Sequence, residues 1–499
     1  MSSFLPRGVF LMPALLAGVL GGCAVGPDFV RPDSLAPDDW SQWRDGDALL
    51  QPALDGAALQ PQWWTQLSDP VLDQLQRDAL SASPDLRTAA LHFAQARAQR
   101  STVAAQRGVT ASVSGSAARQ RQSENGAGTR MLDILSSDSS TLKQLLAEPF
   151  NLYQAGFDAS WELDLWGRVR RSVEAADAGV AQQAALLDLA RQSVTSEVAR
   201  NYVQLRGTQQ QIALAREDIG ALEERLQLLQ ARVDGGLDDH LDLDRQRADV
   251  AAIRARLPLL LAEEAAAGNQ LALLLGQRPG ALRQRLAAVP AADDNLPDLA
   301  LGLPSELAKR RPDIRAAEAR LHQATASIGV AKADLYPSIR LGAKFGYESY
   351  LSGEFSDWGS RTWSVGPVLS LPLFDHGRRK SVVQLRQLEQ QEAAVTYQKT
   401  VLQAWQEIDN ALNAYAAAQH QRAQLRVREQ ATLDAYRIAQ ARRDAGLIDF
   451  LSVLDARRSY LQTRRELVDG DAALRTQFIA LNKALGNGPL IGNDPMASR

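Results

Sequence analysis

The chain has 499 residues and a formal net charge of −3, with 55 Lys and Arg against 58 Asp and Glu. Because there is no basic excess, we expect no nucleic-acid partner. Aromatic residues make up only 6% of the chain, and Ala, Gln, Leu and Arg are frequent, which favours long helices over several compact cores.

Residues 1–22 have the pattern of a secretory signal peptide. Arg7 precedes an apolar run at 9–20, and about a dozen apolar residues are too few to cross a bilayer that requires ~20. Two glycines then precede Cys23, the only cysteine of the chain. We therefore expect cleavage before Cys23 and its modification by an N-acyl diacylglycerol group, and Ala24 in the next position favours sorting to the outer membrane. The alternatives are an ordinary signal peptide beside an incidental cysteine, and a buried thiol.

An internal repeat organises the rest of the chain. The matching segments are 162–168 with 372–378, 231–237 with 441–447, and 84–87 with 312–315. The first two pairs are shifted by 210 residues and the third by 228, so the first copy has an insertion of 18 residues between 120 and 152. Each copy is predicted to contain a helix, two strands, a very long helix and a shorter helix.

The two very long helices have coiled-coil spacing. No proline occurs between Gly167 and Val233, and apolar residues recur there at alternating three- and four-residue steps. A helix of about 65 residues would be on the order of 100 Å long, much longer than a compact domain. The second copy repeats the pattern from Gly377 to about Arg443. The predicted apolar stripes are Ile212, Ala215, Ile219, Leu222, Leu226, Leu229 and Val233 in the first copy, and Leu402, Trp405, Ile408, Leu412 and Tyr415 in the second.

Four short segments alternate between apolar and polar residues, at about 109–120, 153–166, 337–347 and 362–374. In the second of them Phe157 and Trp161 fall on one face and Asp158 falls on the other. Strands of roughly ten residues with one apolar and one wet face suit a transmembrane barrel. A half-buried sheet of a soluble domain would have the same alternation.

Four strands cannot close a barrel, because bacterial outer-membrane barrels have about eight or more and open edges are not tolerated in lipid. Two chains would supply eight strands, and side chains would fill the interior. Three chains would supply twelve strands around a lumen, so a conducting duct favours three. The predicted fold class is mainly α with a membrane β-barrel, in which a trimer forms a 12-stranded barrel and a long α-helical tunnel in the periplasm.

Four segments are similar to a known family. They are residues 23–29 followed by Arg31-Pro32, the duplicated element at 163–168, the run 307–313, and 445–447 leading into 450–456. Through them the chain resembles the TolC-like outer-membrane factors, and within these the OprM/NodT-type efflux lipoproteins. The resemblance covers essentially the whole mature chain.

The resemblance implies a homotrimer in which the repeats, 86–276 and 313–486, carry a mixed equatorial belt. The belt would use the lipidated segment 23–85, the linker 277–312 and the C-terminal segment 487–499. The implied partners are a periplasmic adaptor protein, an inner-membrane pump, often of the resistance-nodulation-division type, and outer-membrane lipid. The protein would then be a passive conduit for small molecules, and the pump would supply the energy.

The same resemblance suggests two sets of functional residues. Leu451, Asp455 and Arg458 match positions that form a closed periplasmic aperture, and Asp455 and Arg458 lie three apart on one helical face. We expect them to act as an iris-like gate; an ordinary exposed pair within one helix is the alternative. The candidate adaptor contacts are the two helix tips, Gly235, Gly236 and Leu237, and Ala445, Gly446 and Leu447.

Motifs for catalysis and metal binding are missing from the sequence. The five histidines are isolated, and there is no phosphate-binding loop, nucleophile elbow or two-histidine zinc helix. We therefore predict that the protein is not an enzyme and holds no cofactor besides the lipid on Cys23. Type I protein secretion would use the same duct, and a structural coiled-coil lipoprotein is a further alternative that leaves the strands unexplained.

Overall fold

The computed structural model describes residues 24–32, 61–126, 129–130, 134, 140–237, 239–287 and 310–489. Cys23 lies outside the described residues, as do large parts of the predicted belt. The helices are α1 (Pro70–Ala82), α2 (Pro84–Ala104), α3 (Ser140–Leu146), α4 (Arg168–Asp234), α5 (His240–Leu274), α6 (Arg283–Ala287), α7 (Pro312–Ala333), α8 (Arg378–Asp444) and α9 (Phe450–Ala484). The strands are β1 (Thr110–Gln120), β2 (Phe150–Leu163), β3 (Ser338–Ser349) and β4 (Arg361–Ser370).

The duplication predicted from the sequence is confirmed in the elements themselves. The long helices α4 and α8 both have 67 residues, and the shorter helices α5 and α9 both have 35. Pro84 and Pro312 are the first residues of α2 and α7, where the missing amide donor removes no helical hydrogen bond. Each copy therefore contains the predicted helix, two strands, very long helix and shorter helix in that order, and the first copy has the additional helix α3 between its two strands.

The described residues among 24–30, 97–179 and 321–393 form one compact unit, which contains all four strands. The strands form one antiparallel sheet in the order β1-β2-β3-β4. Among the described residues, no further strand pairs with the outer edge of β1 or of β4. Two rows of side chains cross the whole sheet in register: the apolar row Val113, Phe157, Phe345 and Trp363, and the polar row Ser112, Asp158, Lys344 and Ser364.

Two strands end earlier than the sequence pattern suggested. β2 ends at Leu163 rather than at 166, because the carboxylate of Asp164 accepts hydrogen bonds from the amides of Val169 (2.9 Å) and Arg170 (2.8 Å) and so begins α4. β4 ends at Ser370 rather than at 374, because Ser370 pairs with Ser338, the first residue of β3, and the ladder has no partner residue beyond it.

The described residues among 31–96, 180–320 and 394–489 form the second compact unit, which is helical. Its core includes Trp63, whose ring meets that of Phe478 edge to face at 6.2 Å, and both side chains are fully buried. Helix α4 packs on α5 and α9 through clusters that join Ile212 and Ala215 to Leu260 of α5, and Leu214 and Ala221 to Leu461 of α9.

The predicted stripe of α4 is buried or half-buried along its length. The stripe of α8 is wrong at one position: Trp405, Ile408, Leu412 and Tyr415 are buried, whereas Leu402 is 60% exposed. Leu402 belongs instead to a second apolar face of α8, which the described residues of the same chain leave exposed to solvent. Among the described residues, no helix is long and apolar enough to cross a membrane.

Candidate gate and helix tips

The two predicted tips end α4 and α8 in the same way. Gly236 has φ +67° and Gly446 has φ +75°, the left-handed conformation that glycine adopts without strain. The amide of Leu237 donates to the carbonyl of Arg232 at 2.8 Å, which closes the first helix end, and Leu447 makes the equivalent bond at 2.9 Å. Both leucines are 73% exposed, so each tip presents one apolar side chain beyond its helix.

A carboxylate side chain caps the helix that begins after each tip. Asp239 accepts from the amide of Leu241 at the start of α5, and Asp449 accepts from the amide of Ser452 at the start of α9, both at 2.8 Å. Hydrogen bonds from the hydroxyl and the amide of Ser452 lower the pKa of Asp449 below its usual value. Because Leu451 is in this first turn of α9, the cap helps to hold the predicted gate in helical geometry.

The three predicted gate residues lie on α9, but the charged ones contact different helices. Asp455 accepts from Arg225 of α4, and Arg458 donates to Asp249 of α5 at 2.9 Å. The cation beside Asp455 is therefore Arg225 rather than Arg458. Leu451 is half-buried, whereas Asp455 and Arg458 are exposed.

Three further ion pairs join α9 to α4 at positions 457, 464 and 465 of α9. With the pair of Asp455 they form the α4–α9 ladder, which consists of Arg225–Asp455, Glu224–Arg457, Asp218–Arg465 and Glu217–Arg464. The Asp218–Arg465 pair differs from the others in its burial, since the side chains are only 3% and 16% exposed. One carboxylate oxygen of Asp218 is buried and has no hydrogen-bond partner, so this carboxylate depends strongly on Arg465.

Sequence reasoning missed the α4 and α5 partners of the gate. The sequence does contain a signal for the α4–α9 contact, because acidic residues on α4 and arginine doublets on α9 both recur after seven residues, the coiled-coil interval. The α4 positions are Glu217 and Glu224, and the α9 positions are 457–458 and 464–465. This repeat includes neither Arg225 nor Asp249, so it does not identify the partners of Asp455 and Arg458. Within the described ranges, no group of three or more His, Cys, Asp or Glu side chains is arranged to hold a metal ion.

Comparison with known proteins identifies the architecture. The family model described as outer membrane efflux protein matches residues 75–277 and 303–487. The chain is 32% identical over 482 residues to outer membrane protein OprJ of Pseudomonas aeruginosa, covering 95% of both chains. It is 31% identical over 476 residues to the toluene efflux pump outer membrane protein TtgC of Pseudomonas putida, covering 95% and 94%. The solved structure of the outer-membrane channel OprN superposes with a TM-score of 0.80 at 34% identity, over 93% of this chain and 99% of that one.

Proposed function

The chain belongs to the outer membrane efflux protein family, and from this premise we propose that three copies form a passive duct for small molecules. It is an outer-membrane efflux channel rather than an enzyme, and its long helices lie in the periplasm. Such channels work with a periplasmic adaptor and an inner-membrane pump. In our proposal the pump is of the resistance-nodulation-division type and supplies the energy.

The observation that carries the proposal is the exposed apolar row across the sheet. Phe157, Phe345 and Trp363 are 47%, 45% and 72% exposed although they are large and apolar. Such a row suits contact with lipid, while the polar row on the other face suits a water-filled lumen. Since open edges are not tolerated in lipid, the outer edges of β1 and β4 require partners from other copies. Three copies of the four-stranded sheet make the twelve-stranded barrel.

The repeat also indicates how neighbouring copies meet. On α4, Ala178, Ala185 and Gln192 are at most 4% exposed. Helix α7 packs on this helix through the ion pair of Arg315 with Asp188 at 3.0 Å, and Gln192 donates to the carbonyl of Lys483 near the end of α9 at 2.5 Å. The positions 210 residues later on α8 are apolar but open. They are Leu388, Val395 and Leu402, which are 54%, 64% and 60% exposed.

Helix α2 is the counterpart of α7 in the first repeat, and it buries only Leu86. The repeat therefore relates the exposed face of α8 and the exposed helix α2 to α4 and α7, which pack on each other within one chain. Among the described residues, α8 and α2 do not form the corresponding contact. We assign them to each other across copies, so that α8 of one protomer packs on α2 of the next. This contact is head to tail, and such contacts close into rings.

A charged residue placed in this α8–α2 interface between protomers tests the proposed assembly. Val395→Asp and Leu402→Asp are expected to abolish the heat-modifiable trimer in outer-membrane fractions, because each would bury an unpaired carboxylate at a protomer interface. The control is Ala423→Asp, a charge of the same sign on the same helix, since Ala423 and its repeat counterpart Ala213 on α4 are both exposed. Full trimer yield in the two aspartate variants would contradict the proposed interface.

The gate is proposed to close where α9 meets α4 and α5. Asp455 and Arg458 each form one of the ion pairs that must break if α8 and α9 move away from the α4–α5 hairpin, and Leu451 adds an apolar ring. The double variant Asp455→Ala, Arg458→Ala is expected to raise the single-channel conductance of the closed state in planar bilayers. Arg254→Ala is the control, because Arg254 pairs at 2.5 Å with Glu223 inside the hairpin. Unchanged conductance in the double variant would remove the gate assignment.

The tips and the N-terminus complete the proposal. Leu237 and Leu447 are proposed to enter apolar sites on the adaptor, so Leu237→Asp with Leu447→Asp should abolish efflux-dependent resistance at normal trimer yield. Cys23 is proposed to carry the N-acyl diacylglycerol group in outer-membrane lipid. The mass of the mature N-terminal peptide tests this modification, and an unmodified Cys23 peptide would contradict it.

A further inference from the structure

Residues 24–31, which we call the strap, are held against two helices of the sheet-containing part of the chain. The amide of Val25 donates to the carbonyl of Trp166 at 3.1 Å, next to the start of α4. The ring of Phe29 stacks on His322 of α7, with centroids 4.4 Å apart and planes 15° from parallel. The strap therefore touches α4 of the first repeat and α7 of the second.

Two glycines allow the strap to reach the surface of α7. A Cβ on Gly26 would lie 2.5 Å from the Cα of Gly329, which is closer than real contacts occur. A Cβ on Gly329 would lie 2.7 Å from the Cγ of Arg171 and 2.9 Å from the carbonyl oxygen of Val25. Gly26 also has φ +104°, a conformation that other residues adopt only with strain. The strap therefore lies in a cleft between α4 and α7 that has room only for its backbone at Gly26, packed against the backbone of α7 at Gly329.

Arg171 forms the polar wall of this cleft. Its side chain is only 6% exposed and donates to Asp28 of the strap at 2.6 Å and to Glu174 of its own helix at 2.7 Å. Glu174 also contacts the Nε2 of His322 at 3.0 Å. The strap, α4 and α7 are in this way joined by one continuous network of charged and hydrogen-bonding groups.

The location of this network relates it to the sheet. Trp166 lies between the end of β2 and the start of α4, and its indole donates to the carbonyl of Pro337 at 2.8 Å, directly before β3. β2 and β3 are the central pair of the sheet and the point at which the two repeats meet. Trp166 therefore connects the chain segments that leave β2 and enter β3, and the strap is bound to Trp166 through the amide of Val25.

We propose that this cleft is a binding site for the mature N-terminus, and that strap docking, rather than the acyl group, is what the N-terminus contributes to assembly. The docked strap fastens the two repeats together at the base of the sheet, so that β1 and β4 are presented in register to the next copy. The inference rests on the proposed trimer. It adds that the residues after Cys23 are required for that trimer and the lipid is not.

Separating strap from lipid requires two kinds of variant. Gly26→Val keeps Cys23 and its acylation but excludes the strap from the cleft. Cys23→Ser, exported with a non-lipoprotein signal peptide, removes the lipid and keeps the strap. The control for backbone strain is Gly280→Val, because Gly280 also has a positive φ of +81° and a Cβ there would meet nothing within 4 Å.

The readouts are heat-modifiable trimer per total protein and the mass of the N-terminal peptide. We expect Gly26→Val to be acylated normally yet to lose trimer about tenfold, whereas Cys23→Ser and Gly280→Val stay close to the parent. Phe29→Ala, which adds no strain, is expected to lose trimer about threefold through the missing ring contact.

Three outcomes overturn the inference: full trimer yield in Gly26→Val, full yield in Phe29→Ala, or loss of trimer in Cys23→Ser. Monomeric parent protein would instead contradict the proposed trimer itself, so the two failures are distinguishable.

Discussion

Replacing Arg465 by methionine would leave the carboxylate of Asp218 buried in α4 without its cation. Removing one partner of a buried ion pair costs about 3–5 kcal/mol, because the remaining charge is desolvated and unpaired. Arg465 is 16% exposed, so some water reaches the pair, and we expect a value near the lower limit, about 3 kcal/mol. If α9 leaves α4 when the tunnel opens, this cost falls on the closed state alone. The ratio of open to closed channels should then rise roughly a hundredfold.

Single-channel recording of the purified protein in planar bilayers measures that ratio directly. The matched control is Arg464→Met, the same substitution one residue away in an exposed pair whose side chains are 44% and 42% exposed. Exposed pairs contribute about 1 kcal/mol or less, so this control should change the ratio no more than about fivefold.

The double variant Arg465→Met, Asp218→Asn separates burial of charge from loss of packing. It removes both charges, so most of the effect of Arg465→Met should disappear, and the coupling between the two positions should exceed 1 kcal/mol. The reasoning is refuted if the double variant opens as often as Arg465→Met alone, or if Arg464→Met opens as often as Arg465→Met.

Two further predictions concern stability. Asp449→Ala removes the cap of α9 and should cost about 0.5–2 kcal/mol in urea unfolding at neutral pH. Because folding lowers the pKa of Asp449, its contribution to the free energy of unfolding is complete above the ordinary value of 3.8 and is lost as the pH falls through the lower folded value. The stabilities of parent and variant should therefore converge in acid. A constant difference at all pH values would contradict this prediction. Gly276→Ala should lower the midpoint of heat-induced unfolding more than Gly236→Ala, since both glycines have φ +67° but only at Gly276 would the new Cβ meet a carbonyl oxygen, that of Ala82, at 2.9 Å; equal midpoints would show that the close approach is relaxed at little cost.

Local periodicity and the repeat were sufficient to predict the helices and strands that the two repeats share, but not α1, α3 or α6. Helical and strand patterns have periods of 3.6 and 2 residues, so they can be read without knowing any partner, and two copies of the same pattern support each other. The alternation around Phe157 and Asp158 placed the apolar and polar faces of the sheet correctly. Leu402 could not be placed in this way, because periodicity indicates that a face is apolar and not whether the same chain or another covers it.

The partners across helices were decided only by the tertiary structure. The spacing of Asp455 and Arg458 puts both on one helical face, but it carries no information on the register of α9 against α4 and α5, which selects Arg225 and Asp249. The contact of Gly26 with Gly329 joins positions some 300 residues apart, and in the sequence each is an unremarkable glycine. Helix and strand formation depends on neighbours within a few residues and can be read along the chain, whereas ion pairs and backbone contacts depend on how distant segments are packed together.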